Sequence, residues 1–248
     1  MTAPGALALA GILAALPAPR AVGAAEPASL VTPEPAPTGP PDPAPTAAAG
    51  PGVLEYLGLF AAGAATALVA HESCHVVTNL ALGNVPHLEP VSFLGVIPYF
   101  AISPEIRCVG SQCFKENGQP FGPGRQGLFV IYSAGLQCQQ LADEIILSEE
   151  PDLRRRDPPF LTGMLTFNTL ASIGYVIANW AGIEPPYGDL RGLYAIGAPR
   201  TLTNVLFLAV GLMDIARYFF PETPFELLPW ASRASKIAVT GLVLTVNN

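Results

Sequence analysis

The chain has 248 residues, half of them hydrophobic and only 12% charged, with a mean hydropathy of +0.41. Soluble domains carry about a quarter charged residues, so this composition belongs to an integral membrane protein rather than a water-soluble globule. A net charge of −7 and only two lysines, Lys115 and Lys236, leave no basic surface for a nucleic acid.

In chain order, residues 1 to 24 are expected to be a signal peptide. "ALALAGILAAL" (6 to 16) is an apolar core too short to span a bilayer as a helix. Small residues Val22 and Ala24 follow at the spacing of a cleavage site. Residues 25 to 52 form a Pro-rich linker. From 27 to 52 there are nine of the 27 prolines and no aromatic, Lys or Arg. Proline at that density removes backbone donors and fixes φ, so neither helix nor sheet propagates. An exported linker lies outside the cytoplasm. The folded domain is expected over 53 to 248.

That domain reads as an all-α membrane protein, a bundle of about four to six transmembrane helices with a short extended or re-entrant segment after the first. "VLEYLGLFAAGAATALVAHESCHVVTNLALG" (53 to 83) is a small-residue helix that neighbours can approach closely. "VSFLGVIPYFAI" (91 to 102) is too short to span as a helix and is broken by Pro98. The later candidate spans are 127 to 147, 160 to 182, 201 to 220 and 227 to 246. The joint at Arg154, Arg155 and Arg156 is expected on the cytoplasmic side. Trp180, Trp230, Tyr218, Arg233 and Lys236 are expected as membrane-interface anchors.

"HESCH" places His71, Glu72 and His75 in the middle of the first apolar run. Positions four apart share a helix face, so both imidazoles can aim at one Zn2+ ion. Glu72 stands beside the first of them, placed to take a proton from a water that zinc acidifies. Ionisable groups inside a membrane segment are costly and mark function.

A catalytic zinc takes a third protein ligand. The candidates are Asp214, Glu144, Asp189 and His87, with Asp214 and then Glu144 preferred. Asp189 in "YGDLRGL" is expected to cap a helix or pair with Arg191, and His87 to be a loop residue. Gln137, Gln139 and Gln140 are expected to orient a ligand or to bridge helices. Of the four cysteines, Cys108 and Cys113 form a disulfide if their loop faces an oxidising compartment and stay thiols if it does not. Cys74 is expected to pack.

HExxH late in a first membrane helix resembles the site-2 protease family of intramembrane zinc metalloproteases. The resemblance implies peptide-bond hydrolysis in membrane-associated substrates, with an aspartate from a later membrane helix as third ligand. The matching stretch is "NVLFLAVGLMDIARY", with Asn204, Asp214 and Arg217. It also implies that "VSFLGVIPYFA" pairs with the unfolded substrate as an added strand. Residues 71 to 236 resemble, more broadly, uncharacterised bacterial membrane proteins with an HExxH helix. Their other shared features match Ser133-Ala134-Gly135, Gln139, Glu144 and "SRASK" (232 to 236) here. The expected function is a zinc metalloprotease of the bacterial inner membrane. The alternatives are a metal-binding or sensing protein without turnover, and a helical scaffold with an inert motif.

Overall fold

The computed structural model describes residues 51–93, 97–185, 187–221 and 227–246. The expected signal peptide and all but the last two residues of the Pro-rich linker lie outside them. The described residues form seven helices, α1 (Val53–Ala81), α2 (Gly124–Glu149), α3 (Leu153–Arg156), α4 (Pro159–Ala181), α5 (Asp189–Ala195), α6 (Arg200–Phe219) and α7 (Leu227–Gly241). A 3-10 turn, Leu242–Thr245, follows α7. Four strands lie between α1 and α2: β1 (His87–Phe93), β2 (Ile97–Ser103), β3 (Ile106–Val109) and β4 (Gln112–Lys115).

α1 begins after Pro51-Gly52 and has no internal proline. It ends where Gly83 adopts φ +70°, a turn that disfavours a side chain. Its buried residues are Gly63, Ala67, His71, His75 and Asn79. They recur every four positions, so one narrow stripe faces the bundle and the apolar remainder faces outward. Near the start of the stripe the helix meets α4 at the backbone. A Cβ on Gly63 would strike the Phe160 carbonyl, and one on Gly163 would strike the Phe60 carbonyl. Tyr56, a turn earlier, donates to the Asp157 carboxylate 2.9 Å away, just before α4. Tyr56 meets the start of α4, and Glu72 further along α1 shares a cavity with Gly174 further along α4, so the two helices run parallel.

α2 returns antiparallel between them. Sixteen of its 26 residues are buried, so it is the axis of the bundle. Its first half supplies Leu128, Phe129, Ile131 and Leu136 to the main core, where they meet Leu190 and Leu193 of α5, Phe207 of α6 and Val239 of α7. Its second half is buried too, although it carries Gln139, Gln140, Asp143 and Glu144. α1, α4 and α6 are the three helices long and apolar enough to cross a membrane. The expected spans at 127 to 147 and 227 to 246 are not among them. The first is buried in the bundle and needs no apolar exterior. The second is only 15 residues of helix ending in a 3-10 turn.

The segment expected to be extended or re-entrant forms antiparallel hairpin arms. β1 pairs with β2 in a register that sets Pro90 opposite Phe100 and Leu88 opposite Ile102. A second hairpin, β3 with β4, sets Cys108 opposite Cys113, and these two are disulfide-bonded. The hairpins sit at the end of α1 and the start of α2. Asn84 donates to the Pro104 carbonyl at 2.8 Å, and Arg125 to that of Gly110 at 2.8 Å.

Two expectations are corrected. Cys74 does not simply pack: it is disulfide-bonded to Cys138 of α2, 64 residues on. Arg233 and Lys236 are not interface anchors, since both are buried. Trp180 and Trp230 are exposed, as interface anchors would be.

Closing a 64-residue loop with Cys74–Cys138 removes unfolded-state entropy equivalent to roughly 4 kcal/mol in the chain-entropy model. Replacing Gly163 with leucine forces α4 off α1 at a backbone contact. It is expected to cost about 1–3 kcal/mol, read as a lower thermal midpoint of the purified protein, whereas Gly58→Leu, with open space around its Cβ, leaves the midpoint in place.

Candidate metal centre

Three buried side chains converge at the middle of the bundle: His71 and His75 from α1, and Asp189 from the first turn of α5. The two Nε2 atoms are 3.3 Å apart. His71 Nε2 is 3.1 Å from Asp189 Oδ2, and His75 Nε2 is 3.1 Å from Asp189 Oδ1. Atoms each about 2.0–2.1 Å from a tetrahedral ion stand about 3.3 Å apart, and each of these separations is near that value, the carboxylate turning Oδ2 to one imidazole and Oδ1 to the other.

The protonation pattern points the same way. His75 Nδ1 lies 2.8 Å from the Ile131 carbonyl, which can only accept, so Nδ1 carries the proton and donates it there. In the neutral ring Nε2 is then a lone pair facing a carboxylate oxygen. Asp189 Oδ2 has no hydrogen-bond donor among the described residues. Two acceptors so placed repel unless a cation stands between them, a proton on the imidazole or a metal ion. The residues therefore fit a metal ion. Burial raises the Asp189 carboxyl, but the facing His75 and His71 outweigh it and hold the group below the usual carboxylate range.

Each side chain is fixed by the local sequence. The i,i+4 spacing stacks the two rings, whose planes stand at 68°. Gly135 of α2 lets backbone press against them: a Cβ there would lie 2.5 Å from both Nε2 atoms. Cys138, three residues on, ties α2 to Cys74 inside the motif. Asn79, one turn beyond His75, donates to its carbonyl at 2.9 Å, and Asn84 donates to Asn79 at 2.8 Å. Asp189 is held by Leu190 and Leu193, both deeply buried in the core. Gly192 makes room for Tyr132 beneath them.

Asp189 neither caps α5 with its side chain nor completes an ion pair with Arg191; it turns inward to the histidines. Asp214 and Glu144, preferred from the sequence, lie elsewhere. Glu144 accepts from Arg217, from Arg233 at 2.8 Å, from Lys236 at 3.2 Å and from Ser148 at 2.9 Å. Asp214 is 2.9 Å from Lys236 and accepts from Ser232 at 2.9 Å. Gly135 touches the histidines, and Glu144 is nine residues on, about 13 Å of helix rise. These carboxylates are committed to buried cations and cannot reach the metal group. Gln137 donates to Ser133 at 2.6 Å, and among the described residues Gln139 and Gln140 make no side-chain hydrogen bond to a member of the triad. His87 opens β1, exposed, with its Nε2 3.1 Å from Glu116. With Glu105 these two form a second, surface group that can hold a cation.

Glu72 is half-buried. With His71 it lines a cavity of about 280 Å³ between α1 and α4. Leu68, Phe167, Leu170, Ala171 and Gly174 form its apolar wall. Gln139 also lines it. Neither Nε2 nor Oε1 of Gln139 has a hydrogen-bond partner among the described residues, although the side chain is buried. An unpaired buried amide costs about 1–3 kcal/mol.

No protein-family model, curated protein or solved structure matches the chain.

Asp189→Ala is expected to weaken metal binding by more than the roughly 10- to 100-fold produced by losing an outer-shell partner, measured by metal content after dialysis against a chelator buffer. Asp214→Ala separates the two clusters. It leaves the metal stoichiometry of the folded protein unchanged and costs about 1–3 kcal/mol of stability, by leaving Lys236 to Glu144 alone and Ser232 without its acceptor.

Proposed function

We propose that the chain is a membrane-embedded zinc-dependent peptidase in which His71, His75 and Asp189 hold the metal and Glu72 is the general base. One observation carries this reading: the triangle of donor atoms lies beside a cavity that Glu72 shares with His71. Two imidazoles and a carboxylate suit a borderline-soft ion and leave a fourth position for water or substrate. Zinc bound there would supply Lewis acidity, polarising a carbonyl and acidifying a water. Glu72 takes the proton of the attacking water and hands it to the leaving nitrogen. Ile131 holds the His75 tautomer, Gly135 seats the rings, and the apolar cavity wall keeps bulk water from the reacting bond. The resemblance of the HExxH placement to site-2 proteases supports the same class. The third ligand in this reading comes from the short α5 and not from "NVLFLAVGLMDIARY".

The two disulfides support an orientation. Disulfides persist in oxidising compartments, which sets the hairpins and the late half of α1 on the outer side. Tyr56 at the start of α1 reaches Asp157 beside Arg154, Arg155 and Arg156, so that end of the bundle carries the basic joint expected inside. α1 and α4 then run outward, with α2 and α6 returning. This turns the start of α1 toward the cytoplasm, the side opposite to that expected from an export signal.

Glu72→Gln is expected to retain one zinc per chain and to lose about 100-fold or more of peptide cleavage, assayed on labelled apolar peptides in detergent. Absence of stoichiometric zinc after reconstitution would sink the reading. Retention of zinc together with undiminished cleavage in Glu72→Gln would remove Glu72 as the base. Zinc without any cleavage by the wild type would favour a metal-binding protein without turnover.

A further inference from the structure

Two buried carboxamides of α2, Gln139 and Gln140, have no hydrogen-bond partner among the described residues, and of the two Gln139 lines the cavity beside the metal group. Gln139 stands one helical turn beyond Gly135, the residue packed on both imidazoles, and it lines the same cavity as His71 and Glu72. Its donor and acceptor are both without a partner among the described residues, in a side chain only 3% exposed. A carboxamide and a peptide group are complementary: Nε2 can donate to a carbonyl while Oε1 accepts from an N–H. In a helix both groups of a peptide unit are already used. The ligand that satisfies Gln139 is therefore an unwound stretch of backbone, and the apolar wall requires that its side chain be apolar.

Resting on the peptidase reading, we infer that Gln139 is the backbone anchor of the substrate. The cavity between α1 and α4 is the pocket for one of the substrate's apolar side chains, and it favours a large one. At about 280 Å³ the cavity is just below the size of pockets that take drug-sized molecules, about 300 Å³ and upward. It admits one or two side chains and no folded element. Its breadth depends on Gly174 and Ala171, small residues on α4. Nothing lies within 4 Å of a Cβ built on Gly174, so a side chain there projects into open space and not into a neighbour. Leu68 and Leu170 are both exposed as well as lining. The cavity thus opens on the apolar flank of the bundle, where an apolar segment would arrive.

The test uses the full chain carrying Glu72→Gln, loaded with zinc, in detergent micelles. The probes are two short fluorescent leucine-alanine peptides that differ in one central residue, Phe or Ala. Binding is read by anisotropy. The Phe peptide is expected to bind about tenfold tighter than the Ala peptide. Gly174→Leu fills the pocket and removes that preference, weakening the Phe peptide about tenfold and sparing the Ala peptide. Gln139→Leu weakens both peptides by about the same factor, tenfold, with zinc content unchanged. If Gln139→Leu loses zinc, the Gly174→Leu comparison decides alone, because that side chain meets nothing in the fold. Equal affinity for both peptides in the parent, or unaltered preference in Gly174→Leu, overturns the assignment. With zinc bound and Glu72-dependent cleavage intact, either result leaves the peptidase reading standing. A wild-type chain that holds no zinc ends that reading and this inference together.

Discussion

The arrangement depends on one constraint: a charge taken into a buried apolar interior must meet a charge of opposite sign. α2 carries Asp143 and Glu144 inside the bundle and α6 carries Asp214, while Arg217, Arg233 and Lys236 are buried with them. Glu144 and Asp214 are spent on the three bases, while Asp143, without an ion pair among the described residues, is met by an amide. Asp143 accepts from Asn168 at 2.7 Å, and Glu144 takes all three cations. The histidine site differs in kind. It has one carboxylate, Asp189, facing two imidazoles, one of them with its Nδ1 proton held on the Ile131 carbonyl. The first cluster is already compensated and holds α2, α6 and α7 together. The second has a negative charge and converging lone pairs, and is balanced by adding a cation. That difference decides which aspartate belongs with the histidines.

The same constraint explains what the sequence could and could not reveal. HESCH was legible because both ligands lie on one helix, where i,i+4 spacing fixes their geometry without knowledge of the fold. The inward stripe of α1 was half legible. Gly63, Ala67, His71, His75 and Asn79 stand four apart, but in a helix apolar on every side only the small and polar residues mark the buried face. The third carboxylate was not legible. Several were available, and pairing is a tertiary property: Asp214 sits three residues before Arg217, yet its partners are Lys236 and Ser232 of α7. Asp189 differed in one readable respect. It lies outside any long apolar helix and is followed by Leu190 and Leu193, an apolar pair that buries a short helix and carries its first residue inward. "SRASK" stood out as a motif, but its Arg233 and Lys236 were read as surface anchors, because nothing local shows that their carboxylates come from α2 and α6.

The apolar segment after α1 shows a second limit. Its β-branched and aromatic residues with Pro98 specified extended backbone, and extended backbone is what forms, but the partner strand could not be read. β1 and β2 pair with each other, which leaves the outer edge of each as the side that a further strand would need. Cysteine pairing was similarly open. Cys108 and Cys113 are close in sequence and join across a hairpin. Cys74 and Cys138 are 64 residues apart and meet only because α2 lies antiparallel on α1. The second bond sets the register of α2 against the motif. Gly135 then faces the imidazoles, and Gln139, the next residue on that face, is carried into the cavity.

Register also accounts for the shape around the site. α1 and α4 are parallel and touch backbone to backbone at Gly63 and Gly163. Two turns further along, the helices part: a cavity lies between Leu68 and Glu72 on one side and Leu170 and Gly174 on the other. Small residues close a helix seam in an apolar medium by letting backbones approach. The seam is therefore sealed at one end and open beside Glu72, with α2 as its floor. A polar floor in an apolar cleft is unfavourable while it is empty of partners, as the unpaired amide of Gln139 shows. A ligand that brings both a donor and an acceptor relieves it, whereas a lipid acyl chain, equally apolar, brings neither. On this physical ground the cleft discriminates an unwound peptide from the hydrocarbon that surrounds it.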